Sequence, residues 1–214
     1  MRLEWIGHAC FKLTMESGVK VFTDPYDASV GITMIPLKAD VITMSHDHHD
    51  HNETSQIIGE PVILRGDAPL QMGGLKITAL CSYHDDAQGA KRGPNFIRVF
   101  EAEGLKIVHM GDQGCMPSRE ILEAIAGADA LLVPVGGTYT VDATGAKAII
   151  GRVNPKCVVP MHVKTKRCPY PIAPASEFMQ AMDCGDTQPV AVLEWTRDSA
   201  PAGVCLMKPM ADEL

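Results

Sequence analysis

His46-Asp47-His48-His49-Asp50-His51 follows a short apolar run, Val41–Ser45, and has the pattern H-x-H-x-D-H. The run predicts a buried strand, so the polar residues begin where that strand ends. Histidines two residues apart on an extended turn point to the same side, and an aspartate and a third histidine follow at the start of a predicted helix. Two adjacent metal ions need such a set of ligands. Zinc suits imidazole combined with carboxylate best, and manganese or iron suits it less well.

A solvated polar turn is the alternative interpretation of this hexapeptide. The chain's own His and Asp frequencies produce it by chance on the order of 10⁻³ times, which favours the metal interpretation. Three further candidate ligands each follow a predicted strand, where a metal site at a sheet edge would need them. They are His84 after Leu75–Leu80, Asp112 after Leu105–Met110 and His162 after Lys156–Pro160.

The composition indicates one globular domain over residues 1–214, with 46% apolar and 21% charged residues. A formal net charge of −7 argues against DNA, RNA or an anionic membrane as the main partner. No apolar run approaches the roughly 20 residues of a membrane span. The seven cysteines form no CxxC pair, which indicates reduced thiols and a cytoplasmic location.

The second half of the chain, about 91–214, repeats the first, about 1–90, in outline. Gly18–Val21 aligns with Gly104–Ile107, and Ala39–Ile42 resembles Ala128–Leu131. This weak self-similarity predicts two β-sheets packed together, with helices outside. The helices are predicted from Asn52 to about Ile58, at Ser118–Ile125, from an N-cap at Asp142 to about Val153, and at Pro174–Met182.

Four motifs, in this order, resemble those of the metallo-β-lactamase fold superfamily. They are His46–His51, His84, Gly111-Asp112 and Met161-His162. Trp5–Ala9 and Pro134–Thr140 are similar to stretches in small bacterial and archaeal metal-dependent hydrolases of this fold. The ascorbate-phosphate lactonase and the N-acylethanolamine-phospholipid phospholipase D are related branches. The resemblance extends from about residue 2 to about residue 166.

The resemblance implies an α/β fold, a four-layer αββα sandwich of two mixed β-sheets with helices outside and metal ions at one edge. It implies two divalent ions, Zn²⁺ first, with Mn²⁺ or Fe²⁺ as alternatives. The ligands carried over are His46, His48 and His84 for one ion, Asp50, His51 and His162 for the other, and Asp112 as the bridge. A hydroxide between the ions would attack a carbonyl carbon or a phosphorus. Asp50, which would orient it, and Asp112 are the expected catalytic residues.

One ligand position separates two chemistries of this fold. Diiron oxidoreductases of the superfamily usually resemble H-x-E-x-D-H, with a carboxylate where this chain has His48. The imidazole at that position therefore favours zinc hydrolysis over iron redox chemistry.

Several polar residues near the predicted ligands are candidate substrate contacts, and each has a structural alternative. His8 either contacts the substrate or a ligand residue near the site, or it is a histidine at a strand end whose hydrogen bonds are satisfied by the protein. Asp24 either braces a metal-binding histidine or is a turn residue. The predicted substrate-binding set is His8, Arg92, Asn95, Thr138, Tyr139, Thr140 and Lys164. The basic members would bind an anionic group such as phosphate or carboxylate.

These observations predict a zinc-dependent hydrolase of a small ester-like molecule: a lactone, a phosphodiester or a thioester, with an anionic substrate as one option. A nucleic-acid processing nuclease of the same fold is one alternative, although the acidic balance weighs against a nucleic-acid partner. A non-catalytic metal-binding or sensor protein is the other. A homo-oligomer stays open, because a neighbouring subunit could complete the pocket of a short chain.

Overall fold

The computed structural model describes residues 1–185, 187–196 and 199–210. Within these ranges the strands are β1 (Arg2–Gly7), β2 (Cys10–Thr14), β3 (Lys20–Thr23), β4 (Leu37–Lys38), β5 (Val41–Thr43), β6 (Ile57–Ile58), β7 (Val62–Leu64), β8 (Leu70–Met72), β9 (Leu75–Tyr83), β10 (Pro94–Ala102), β11 (Leu105–His109), β12 (Ala130–Pro134), β13 (Cys157–Met161), β14 (Val192–Glu194) and β15 (Gly203–Val204). The α-helices are α1 (Arg119–Ile125), α2 (Ala143–Val153) and α3 (Ala175–Ala181).

The strands form two mixed sheets and one small two-stranded sheet of β4 and β6. The first sheet has the order β14-β1-β2-β3-β5-β7, and the second has the order β15-β13-β12-β11-β10-β9-β8. In the first sheet β1, β3 and β5 run in the same direction, as do β9, β11, β12 and β13 in the second. The residues that follow these strands therefore gather at one edge of each sheet.

The main core lies between the two sheets and under the helices. It joins buried side chains of the first sheet, such as Trp5 and Phe11, to those of the second, such as Ile107 and Val159. The three helices follow strands of the second sheet, and α2 packs against both α1 and α3. The predicted α/β sandwich of two mixed sheets is confirmed.

The outer face of the first sheet carries a second apolar cluster. Ile6, Phe22 and Ile42 of this sheet pack there against the segment 26–37. In the described residues this segment forms a 3₁₀ turn at Ala28–Val30 and irregular chain up to the start of β4 at Leu37. The outer layer here is therefore built from loop, whereas α-helices cover the second sheet.

The helix predicted between Asn52 and Ile58 is wrong. The chain makes turns after His51 and then forms β6, which pairs in parallel with β4. The Glu53 carboxylate accepts a hydrogen bond from the Ser55 backbone N–H at 2.5 Å, a local contact that competes with helix formation. The β-branched residues Ile57 and Ile58 also favour a strand.

The other predicted helices are confirmed with small shifts at their ends. Asp142 lies at the N-cap of α2 as predicted, and its carboxylate accepts a hydrogen bond from the Gly145 N–H at 2.8 Å. The helix ends at Val153, and the next residue, Asn154, has a left-handed backbone conformation. No helix in the described ranges is long and apolar enough to cross a membrane.

The two halves share one local arrangement. Asp40 precedes β5 and its carboxylate accepts a hydrogen bond from the Lys20 N–H at 2.7 Å. Asp129 precedes β12 and accepts from the Lys106 N–H, also at 2.7 Å. In each half the carboxylate thus joins the start of a strand to its parallel neighbour, and the two-half organisation remains a prediction that this likeness supports.

Candidate metal centre

The loops that carry the predicted ligands meet where the two sheets adjoin. His8 follows β1 and the segment 46–51 follows β5, both in the first sheet. His84, Asp112 and His162 follow β9, β11 and β13 of the second. The parallel direction of these strands therefore brings together residues that lie more than 100 positions apart in the sequence.

A first cluster consists of three imidazoles, those of His46, His48 and His84. Each ring contributes one nitrogen, and these three nitrogens lie within 4.8 Å of one another. The ring centroids of His46 and His48, and of His46 and His84, are 4.6 Å apart. Three imidazoles at this spacing can bind one zinc ion.

A second cluster, of His8, Asp50, His51 and His162, has its ligand atoms within 4.8 Å of one another. His8 Nε2 lies 3.4 Å from Asp50 Oδ2. His8 and His162 both have positive φ angles, 52° and 53°, and the His162 N–H donates to the His8 carbonyl at 3.2 Å. Such backbone strain in non-glycine residues is often found at functional sites.

Asp112 lies between the two clusters. Its Oδ2 is 3.3 Å from His84 Nε2 of the first cluster and 3.2 Å from His162 Nε2 of the second. Its Oδ1 is 3.2 Å from His51 Nε2. This carboxylate can therefore contact ions held by either cluster.

The donor atoms fit metal ions. Among the described residues, His46 Nε2, His51 Nε2 and Asp112 Oδ1 are buried and have no hydrogen-bond partner. The last two lie 3.2 Å apart without the alignment of a hydrogen bond. Buried polar atoms without partners cost free energy, and a bound cation would satisfy all three at once.

Burial and mutual charge set the protonation states at this site. Burial, together with the neighbouring histidines, lowers the pKa of His46 to about 3 and that of His8 to about 4. Burial opposes ionisation of Asp112, yet His162 and His51 hold its pKa well below the ordinary value. Near neutral pH His8 and His46 are thus neutral and Asp112 is ionised, which are the forms that bind metal. Burial opposes a charge on His51, yet Asp112 and Asp24 raise the pKa of this imidazole well above the ordinary value.

Asp24 supports the second cluster from behind. It is fully buried, and its Oδ2 lies 2.9 Å from His51 Nδ1, while its Oδ1 accepts from the Ser45 N–H at 2.7 Å. This contact favours a proton on His51 Nδ1, which leaves the Nε2 lone pair for a metal ion when one is bound. Of the two interpretations of Asp24, the contacts favour the brace.

Comparison with known proteins agrees with this geometry. Residues 2–162 match the family described as the beta-lactamase superfamily domain. The solved structure of a Thermotoga maritima protein, assigned to the zinc-dependent hydrolases of the metallo-beta-lactamase superfamily, is 34% identical with a TM-score of 0.79, covering 96% of this chain and 97% of that one. The chain belongs to the metallo-beta-lactamase superfamily.

Two further known proteins are similar to this metallo-beta-lactamase superfamily member over most of the chain. A curated metal-dependent hydrolase from Thermoplasma acidophilum is 27% identical over 190 residues, which cover 77% of this chain and 84% of that protein. The metallo hydrolase Igni18 from Ignicoccus hospitalis has the same fold, with a TM-score of 0.70 at 20% identity over 97% of this chain and 95% of that one. The predicted superfamily is confirmed.

A turn after β11 places Asp112 in the candidate metal centre. Asn95 is fully buried beneath it; its Oδ1 accepts from the Asp112 N–H at 2.9 Å and its Nδ2 donates to the Met110 carbonyl at 2.8 Å. Buried His109 accepts from the Gly111 N–H through Nδ1 and contacts the Ala9 carbonyl through Nε2. His109 is thus a packed residue that supports the turn.

We expect Gly111→Ala to damage this turn. Gly111 has a φ of 55°, and an added Cβ would collide with the side chains of Asn95 and Ser45. The thermal unfolding midpoint should fall by more than about 5 °C, because a left-handed alanine costs about 1–2 kcal/mol before any collision. Gly104→Ala is the control, since Gly104 has a φ of 75° but open space around the added Cβ. Equal shifts for the two variants would show that the contacts of Gly111 are unimportant.

Two cavities open onto the centre. One of about 350 Å³ adjoins His46 and His48 and is lined also by Arg65, Arg92 and Phe96. The other, of about 310 Å³, adjoins Asp50 and Asp112 and is lined also by Tyr139, Tyr170 and Arg92. A small substrate can therefore reach either cluster from solvent.

Only part of the predicted substrate-binding set faces these cavities. Arg92 and Tyr139 line them, and His8 lies in the second cluster. The prediction for Asn95 is wrong, because its polar atoms are fully buried in the turn that carries Asp112. The prediction for Thr140 is corrected as well, since this residue is buried and its hydroxyl donates to the Val141 carbonyl at 3.0 Å.

Two more members of that set use their polar groups to hold the loop 164–173. The Thr138 hydroxyl donates to the Pro171 carbonyl at 2.7 Å, and Lys164 Nζ donates to the Tyr170 carbonyl at 2.6 Å. Their contribution is thus to place Tyr170 at the cavity. Tyr170 and Arg65 were missed in the sequence, because a lone tyrosine between prolines and a lone arginine after a short strand carry no motif.

Proposed function

We propose that this metal-dependent hydrolase of the metallo-beta-lactamase superfamily uses two divalent ions, zinc in the first place, to cleave a small ester-like molecule such as a lactone, a phosphodiester or a thioester. The carboxylate of Asp112 carries this proposal, since it lies between two clusters of buried donor atoms. Structural zinc sites are closed and hold one ion. A shared carboxylate and two cavities favour catalysis over a purely structural or sensing role.

The residues would divide as the two clusters do. His46, His48 and His84 would hold one ion, while Asp50, His51 and His162 would hold the other, with Asp112 contacting both. When bound, such ions lower the pKa of a water molecule and stabilise negative charge that develops on a substrate oxygen. The mixture of imidazole and carboxylate suits zinc, with Mn²⁺ or Fe²⁺ as alternatives.

Asp50 and His8 would act on the attacking water. Asp50 lines the second cavity, and burial opposes its ionisation, but His8 and His51 hold its pKa below the ordinary value. Asp50 Oδ2 can therefore accept a hydrogen bond from water and orient it towards the substrate. His8 Nε2, 3.4 Å from the same oxygen, would fix the direction of that carboxylate.

Tyrosines would bind the other side of the substrate. Tyr139 and Tyr170 line the second cavity with ring centroids 6.0 Å apart. Tyr139 offers a hydroxyl beside an apolar ring, whereas the Tyr170 hydroxyl already lies 2.7 Å from Ser29 Oγ and its ring supplies apolar surface. Together they suit a molecule with a polar bond to break and an apolar body.

Hydrolysis by protein reconstituted with zinc or manganese tests this function. We expect one class among γ-lactones, a nitrophenyl phosphodiester, a thioester and a cephalosporin to be cleaved with kcat/KM near ~10⁴ M⁻¹s⁻¹ or above. Removal of the metal with a chelator should abolish that activity, and added zinc should restore it. Activity that survives chelation, with the protein shown to be metal-free, would contradict the proposal.

We also propose a reducing location such as the cytoplasm. All seven cysteines are free thiols in the structure, although Cys81 is exposed and others are only partly buried. Extracellular proteins more often pair such residues in disulfides.

A further inference from the structure

The cavity beside the first cluster has two arginines in its wall; we call it the arginine cavity. Arg65 follows β7 of the first sheet, and Arg92 lies in the loop between β9 and β10 of the second. The only carboxylate among the described lining residues is that of Asp47, so the wall has a local positive charge in a chain of net charge −7. Such a local reversal of sign attracts anions towards a site.

We propose that the substrate is anionic, with a carboxylate or phosphate group that binds Arg92 and Arg65 in the arginine cavity while its scissile bond lies at the metal centre. This inference rests on the proposed function and names the chemical class of its substrate. The guanidinium fork matches such oxyanions in geometry as well as charge.

The backbone of Arg92 is fixed by a buried carboxylate. Asp85, which is only 2% exposed, accepts hydrogen bonds from the backbone N–H groups of four residues of the following loop. They are Ala87 at 2.7 Å, Gly89 at 2.9 Å, Lys91 at 2.9 Å and Arg92 at 2.7 Å. The loop that starts directly after His84 is therefore wound around one side chain, and it delivers Arg92 to a defined place.

The side chain of Arg92 is also held at the boundary of the two cavities. Its Nη2 donates to the Thr138 carbonyl at 3.3 Å, and its guanidinium carbon lies 5.6 Å from the centre of the Tyr139 ring. Among the described residues, the Thr138 carbonyl is the only hydrogen-bond acceptor for the five N–H groups of the Arg92 guanidinium. The other four N–H groups remain for a ligand, and the contacts with Thr138 and Tyr139 reduce the side-chain entropy that is lost when one binds.

Arg65 is free to join Arg92 on an anion. Its Nη1 lies 3.4 Å from Asp47 Oδ1, in an exposed pair that contributes little in water. The same oxygen already accepts a shorter hydrogen bond, 2.7 Å, from Asn52 Nδ2. A substrate oxyanion would therefore displace a weak contact, and Asp47 would keep its better partner.

The rest of the arginine cavity indicates what the anionic group is attached to. Met44, Pro94 and Phe96 supply apolar surface in the same cavity as the arginines and the imidazoles of His46 and His48. A substrate that carries an apolar segment as well as its charged end and its scissile bond fits this lining.

Binding measured by titration calorimetry on the zinc-loaded protein tests the inference without requiring turnover. The probes are phenylphosphonate and its neutral dimethyl ester. We expect phenylphosphonate to bind more tightly, Arg92→Gln to weaken it about tenfold, and Arg65→Gln to weaken it less, because a charge-assisted hydrogen bond is lost in each. Binding of the neutral ester and the zinc content should stay unchanged. Arg119→Gln is the control, since this exposed arginine pairs with Glu123 away from the cavity.

Asp85→Asn tests the positioning of Arg92. It should weaken phenylphosphonate binding but not neutral-ester binding, whereas a merely structural role would change both or neither. Equal affinity of the wild type for the two probes, or a phosphonate affinity that Arg92→Gln does not alter, would overturn the inference even if zinc-dependent hydrolysis is observed. Conversely, failure of every hydrolysis assay would overturn the proposed function and leave this binding result to stand alone.

Discussion

Asp112→Asn should reduce kcat/KM by more than about 100-fold and lower the amount of zinc bound per chain. Replacing a residue behind a metal ligand already costs about 10–100-fold in affinity or activity, and Asp112 itself lies within 3.3 Å of imidazoles of both clusters. The asparagine amide nitrogen has no lone pair for a metal ion, so one of the two contacts is lost. Metal analysis of the purified variant and initial rates on the best substrate of the panel measure the two effects.

The Asp112→Asn variant should still fold. Asn95 holds the turn through the backbone N–H of residue 112, a contact that the substitution keeps. Asp86→Asn is the matched control, because Asp86 is an exposed carboxylate in the nearby loop that pairs only with Lys91 among the described residues. Full activity and full zinc content in Asp112→Asn would exclude the shared-carboxylate mechanism.

Asp24→Asn is expected to weaken zinc binding by about 10–100-fold, although Asp24 contacts no substrate. The two oxygens of Asp24 face the Ser45 N–H and the His51 Nδ1–H, both donors. Asparagine has one acceptor oxygen, so its amide nitrogen must face one of these donors. If it faces His51, the ring must move its proton to Nε2, which removes the lone pair that points into the site. Competition with a chromogenic chelator measures the loss.

Asp183→Asn provides a close control for Asp24→Asn. Both aspartates have positive φ angles, 39° for Asp24 and 54° for Asp183, so both substitutions place asparagine in the same backbone region. Asp183 is exposed and Asp24 is fully buried. Unchanged zinc affinity in Asp24→Asn, with thermal stability intact, would show that His51 needs no brace.

The sequence was informative about the candidate ligands for a physical reason. Each predicted ligand follows a strand, and strands that run in the same direction end at the same edge, so local pattern alone predicted a long-range meeting of His46, His84, Asp112 and His162. The hexapeptide His46–His51 then indicated which edge of the sheets carries the metal site. This agreement concerns placement; the ion bound by each side chain remains a prediction.

Polar residues near the ligands were harder to interpret, because sequence distance does not tell which side of a loop faces the cavity. Asn95 lies at the start of β10 and looked like a substrate contact, but its side chain is directed beneath the Asp112 turn. Arg65 and Arg92 come from different sheets, so their meeting at one cavity has no local signature. The helix predicted after His51 failed because side-chain contacts to the backbone at Glu53 outweigh helix propensity there.

Because the candidate ligands come from both sheets, metal binding would be thermodynamically linked to folding. His46, His48, Asp50 and His51 come from the first sheet, whereas His84, Asp112 and His162 come from the second. Because the unfolded chain does not hold these residues together, free zinc at 100 times its dissociation constant would add about 2.7 kcal/mol to the free energy of unfolding. Cellular zinc supply would then affect the lifetime of the folded protein as well as its activity. A chain without bound metal would unfold more often and would be degraded by proteases faster than the metal-bound chain.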